Sequence, residues 1–69
     1  MTIKQMKNIA KETMNTELAY LSGDVSKCCE VRATLFAFFL VDLFSDDEYR
    51  DYCDLIRQTE NELISHNNF

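Results

Sequence analysis

Residues 28–48 read Cys28-Cys29-Glu30-Val31-Arg32-Ala33-Thr34-Leu35-Phe36-Ala37-Phe38-Phe39-Leu40-Val41-Asp42-Leu43-Phe44-Ser45-Asp46-Asp47-Glu48. The apolar run from Ala33 to Phe44 is interrupted only by Thr34 and Asp42. It is too short to cross a bilayer, which needs about 20 apolar residues. Then comes Ser45-Asp46-Asp47-Glu48, a capping box with three carboxylates where the helix dipole favours negative charge. One helix therefore ends near Phe44 and another begins at Asp46.

The flanking sequence supplies the other helical signals. Thr2 and Gln5 form a T-x-x-Q box, and Ile3, Met6, Ala10, Met14, Leu18 and Leu21 recur three and four apart, the spacing of one helix face. Ser22-Gly23-Asp24 closes that segment, with Gly23 expected in the left-handed position after the helix and Asp24 or Ser26 expected to cap the next one. Beyond Ser45, a third face carries Tyr49, Tyr52, Cys53, Ile56, Leu63 and Ile64 before the chain runs out into Asn67-Asn68-Phe69. Two short connections make neighbouring helices antiparallel. The expected fold is all-α, an up-down-up three-helix bundle with helices at about 2–22, 25–44 and 46–66, forming a single domain over residues 1–69.

Composition agrees. The 69 residues include one glycine and no proline, which disfavours folds built on tight β-turns. A hydrophobic share of 46% with 28% charged residues is that of a globular chain. A chain of this size buries only about 60% of its unfolded surface, so a solitary monomer has little stability to spare.

The middle helix carries more apolar surface than such a bundle needs. With residues placed about 100° apart, Cys29, Ala33, Phe36, Ala37, Leu40, Leu43 and Phe44 form one stripe, expected to face both other helices. Val31, Leu35, Phe38 and Phe39 fall on the other side, where i, i+4, i+7 spacing makes a second packing seam. That second seam is expected at the surface as a protein-binding patch, bordered by Leu55, or as the joint of a homodimer formed through the middle helix.

Charge is segregated along the chain. The net charge is -5, with residues 45–69 alone contributing -5: Asp46, Asp47, Glu48, Asp51, Asp54, Glu60 and Glu62 outweigh Arg50 and Arg57. Asp47, Asp51, Asp54 and Glu62 share the face opposite the third helix's apolar side. Spaced about one turn, ~5.4 Å, they could meet a basic surface as nucleic-acid phosphates do. The candidate partner-binding set is Val31, Leu35, Phe38 and Phe39 with Asp42, Asp47, Asp51 and Asp54. The first helix instead presents Lys4, Lys7 and Lys11 at i, i+3, i+7. These lysines serve solubility and pairing with helix-three carboxylates, and a DNA-binding role for them is the weakest alternative.

Nothing resembles a catalytic centre. Cys28, Cys29 and Cys53 are an odd count in apolar surroundings and read as reduced, hydrophobic cysteines. Cys53 sits level with about Phe38, roughly nine residues or ~14 Å from Cys28, so the thiols do not converge on a metal. Glu17, Glu30 and Glu60 fall at one height, but no Glu-x-x-His element accompanies them. His66 stands alone in the last turn of the third helix, and the serines suit capping roles. No glycine-rich phosphate loop is present, so no cofactor and no metal are expected.

These features predict a small acidic, non-enzymatic, cytoplasmic protein without a signal peptide, acting as an inhibitor or adaptor. Its expected target is a nuclease, a toxin ribonuclease or a DNA-binding regulator. Such chains suit a phage or mobile element. Neither membrane association nor direct nucleic-acid binding is expected of it.

Overall fold

The computed structural model describes residues 1–67, with side chains through Ser65. The expectations for the His66 side chain and for Asn68 and Phe69 lie outside the described residues. Three helices follow one another: α1 Ile3–Ser22, α2 Cys28–Leu40 and α3 Asp46–Asn67. Among the described residues there is no strand.

Side-chain pairings give the directions. Phe39 stacks on Tyr49 and Arg32 meets Glu60, so α2 and α3 run antiparallel. Lys11 meets Glu48 near the start of α3, while Ser22 lies beside Thr59 and Glu62, so α1 and α3 run parallel. All three pairs of helices pack together, and the order is up-down-up.

The core is continuous. Ala10, Met14 and Leu21 of α1, Val31 and Leu35 of α2, Leu43 and Phe44 of the second connection and Ile56 of α3 are buried together. Leu18, Cys28, Phe38, Tyr49, Tyr52, Cys53 and Leu63 pack around them. The i, i+3, i+4 spacing of the α1 and α3 residues is what brings them to one side of each helix.

The capping boxes are formed as the sequence predicts. The Thr2 hydroxyl accepts the Gln5 amide at 3.1 Å, and the Gln5 side chain accepts the Thr2 amide at 2.8 Å. At α3 the Ser45 hydroxyl accepts the Glu48 amide at 3.2 Å and Glu48 accepts the Ser45 amide at 3.0 Å.

Both connections depart from the sequence reading. α2 has 13 residues rather than about 20, because it begins at Cys28 instead of about residue 25 and the chain leaves the helix after Leu40. Asp42 has φ 63°, the Asp42 amide donates to the Phe39 carbonyl and the Leu43 amide to the Phe38 carbonyl. This paired closure with a left-handed residue is a Schellman motif. It turns Leu43 and Phe44 back into the core instead of continuing the helix. The end of α1 repeats the device: Asp24 has φ 58°, and the Asp24 and Val25 amides donate to the carbonyls of Leu21 and Tyr20. Gly23 has φ -86°, so the left-handed residue is the aspartate and not the glycine. With Asp24 committed to that turn, Lys27 occupies the position before α2 and no side chain caps its amides.

Candidate interaction surfaces

The two apolar stripes of α2 exchange places relative to expectation. Val31 and Leu35 are 0% and 1% exposed, at the centre of the core. Phe38 is half-buried against it, its ring edge-on to Phe44 with centroids 5.8 Å apart. Phe39 lies on Tyr49 at 4.4 Å. The expected exposure of the Val31–Leu35–Phe38 seam is therefore corrected. The physical reason is the Asp42 turn. Once Leu43 and Phe44 leave α2 and enter the core from the connection, the stripe they were counted with loses its two innermost members.

The outward side of α2 is instead Cys29, Ala33, Phe36, Ala37 and Leu40, all exposed. Phe36 is 48% and Leu40 65% exposed. Spacings of four, three, one and three keep these residues on one side. Cys29, Ala33 and Ala37 are small and four residues apart, with the large Phe36 and Leu40 beside them. The face leans towards α3, where the Phe36 ring stands 6.5 Å from Tyr49. Leu55 does not border it. Leu55 shares its flank of α3 with Glu48 and Thr59, which face α1.

The carboxylates sort into two groups. Glu48 is engaged inside the molecule, in its capping box and with Lys11 Nζ at 3.6 Å. Its carboxyl is held below the ordinary carboxylate range, first by the hydrogen bond from the Ser45 amide, which outweighs the opposing effect of burial, and then by the Ser45 hydroxyl and the Lys11 ammonium. Asp47, Asp51 and Asp54 stand exposed on the outer side of α3. Asp54 accepts a 2.8 Å hydrogen bond from Arg57. In a three-helix bundle the outer sides of α2 and α3 point about a third of a turn apart, so the acidic row and the apolar face are separate surfaces. Asp42 is exposed at the turn between them, with a backbone role.

The remaining chemistry is sparse. Tyr49 has its phenol pushed up, chiefly by burial and then by the Cys53 thiol, and burial likewise raises Tyr52. Glu60 is met by Arg32 at 3.6 Å. Among the described residues no three His, Cys, Asp or Glu side chains gather as a metal site would need. Cys28 and Cys53 are half-buried against the core, but Cys29 is exposed, outside the apolar setting expected for it. Among the described residues no helix is long and apolar enough to cross a membrane. No protein-family model matches this sequence, and no curated protein or solved structure is detectably similar to it.

Proposed function

We propose that this chain is a non-enzymatic binding protein, an inhibitor or adaptor, whose docking face is the outward side of α2. The observation that carries the reading is the exposure of Cys29, Ala33, Phe36, Ala37 and Leu40 on a helix whose other side already fills the core. Exposed contiguous apolar surface of this kind marks interaction sites. The small residues let a partner helix approach closely, and Phe36 and Leu40 are the large side chains that would lodge between its turns.

The acidic row of α3 supports a basic partner, such as a nuclease, a toxin ribonuclease or a DNA-binding regulator. Because Asp47, Asp51 and Asp54 point away from the α2 face, their contribution is to the field that guides encounter and not to the buried contact. The two surfaces then have different kinetic signatures. Against a basic target, Phe36→Asp with Leu40→Asp speeds dissociation, whereas Asp51→Lys with Asp54→Lys slows association and flattens its salt dependence. Undiminished affinity in the Phe36→Asp, Leu40→Asp variant overturns the reading. If Phe36→Asp alone instead abolishes self-association of the isolated chain, the face joins two copies.

A further inference from the structure

The α1 seam does not stop where the bundle stops. Lys11 meets Glu48 in the first turn of α3, and α1 runs parallel to α3, so residues 3–9 of α1 project beyond the start of α3. The overall dimensions agree. The 22 residues of α3 span about 33 Å, and the molecule is 47 Å long. Ala10 is fully buried, but every residue before it is exposed. Ile3 and Met6 continue the line of Ala10 and Met14, and Ile3 is 69% exposed. This projection is a formed helix held by the Thr2–Gln5 capping box.

Its charge is one-sided. Lys4, Lys7 and Lys11 precede the first acidic residue, Glu12. Among the described residues neither Lys4 nor Lys7 has a carboxylate at ion-pair distance, whereas Lys11 has Glu48. The α2–α3 turn at the same end of the molecule has the opposite character. It carries Asp42, Asp46 and Asp47 beside Leu40 and Val41, and Val41 is 64% exposed.

One end of the molecule thus holds both halves of a joint: a basic helix with an apolar stripe, and an acidic turn with an apolar tip. We infer that two copies associate about a twofold axis at this end, each projecting α1 segment lying across the other copy's α2–α3 turn. Ile3 and Met6 pack on the second copy's Leu40 and Val41, and Lys4 and Lys7 face the second copy's Asp46 and Asp47. A twofold arrangement makes the contact twice with the same surfaces, as an isologous interface requires. The pairing extends to Lys4 and Lys7 what Lys11 and Glu48 already do within one chain. It shares Leu40 with the α2 docking face and Asp47 with the acidic row, but Ile3 and Met6 belong to neither and Phe36 lies outside the joint, so substitutions at these residues separate the two surfaces.

Sedimentation equilibrium and a charge swap test it. The expected species is a dimer of twice 8.1 kDa that weakens as salt rises. Ile3→Asp with Met6→Asp, both at exposed positions, abolishes the dimer while the helical circular dichroism stays. Lys4→Glu with Lys7→Glu, and separately Asp46→Lys with Asp47→Lys, each weaken self-association about tenfold or more, since like charges then face each other. Mixing these two variants restores association, because every facing pair in the mixed dimer is again opposite in sign. A chain that stays monomeric at all concentrations, a dimer lost on Phe36→Asp but indifferent to Ile3→Asp, or a charge-swapped mixture that remains apart would each overturn the inference.

Discussion

Lys11 and Glu48 tie the first helix to the opening turn of the third, with Nζ 3.6 Å from Oε2. The same carboxylate accepts the Ser45 amide through Oε1 at 3.0 Å. One side chain therefore caps α3 and fixes the height at which α1 passes it. Both tasks favour the ionised form, which lowers its pKa from the ordinary 4.5.

The sign of the pH effect follows. A carboxyl group with a depressed folded-state pKa stabilises the fold above its unfolded pKa, and that contribution fades as pH falls through the folded value. Glu48→Gln keeps an oxygen for the Ser45 amide but loses the charge. Its stability deficit relative to the parent chain should be full at pH 7 and shrink below about pH 4.5. Urea denaturation at several pH values measures this, and a deficit that stays constant down to pH 3 would show that the charge contributes nothing.

The orientation of α2 makes a contrast between two leucines of the same helix. Leu35→Ala removes a fully buried side chain and should cost about 2–5 kcal/mol. Leu40→Ala removes an exposed one and should change stability by no more than about 0.5 kcal/mol. Equal losses at the two positions would mean that both stripes are covered, and the docking face would not exist in the isolated chain.

The outer two helices were legible because each has one apolar side and one polar side. Ala10, Met14, Leu21 and Ile56 lie where the spacing places them. The middle helix was not, because a helix apolar on both sides offers no wheel-based reason to prefer either one. The decisive residue was Asp42. Read as an interruption inside a helix, it left Leu43 and Phe44 on the Phe36 stripe. Read as a left-handed terminus, it transfers them to the core and turns Phe36 and Leu40 outward. The acidic row was visible in the sequence, but its separation from the apolar face depends on how α2 and α3 pack, which a single-helix projection does not contain.

The two left-handed aspartates invite correction. Non-glycine residues strain in that region, and aspartate only partly escapes the penalty. Asp24→Gly and Asp42→Gly should each stabilise the fold by about 0.5–1 kcal/mol. Gly23 needs no such freedom, and a Cβ built there meets its nearest neighbour, the Ala19 carbonyl oxygen, at an ordinary 3.6 Å. Gly23→Ala should add about 0.4–1 kcal/mol by restricting the unfolded chain. Each change amounts to a few degrees in Tm for so small a domain. A lower Tm for Asp24→Gly would place the helix end one residue away from Asp24.

Cys28 and Cys29 provide the most direct reading of which way α2 faces. They are neighbours in sequence, about 100° apart around the helix axis, and differ in surroundings. Cys28 packs against the core while Cys29 stands on the outward face. Accessibility governs thiol modification when no neighbouring group activates the sulfur. A bulky thiol reagent under native conditions should therefore label Cys29 first, with Cys28 and Cys53 following only as the fold opens. Peptide mapping of the singly labelled chain identifies the site, and circular dichroism shows whether the fold survives. Labelling of Cys28 ahead of Cys29 would mean that α2 is rotated about its axis, with the Phe36 and Leu40 side turned inward. A partner bound on the α2 face should cover Cys29 directly and slow Cys28 and Cys53 only through the added stability of the fold, so the same measurement also reports docking.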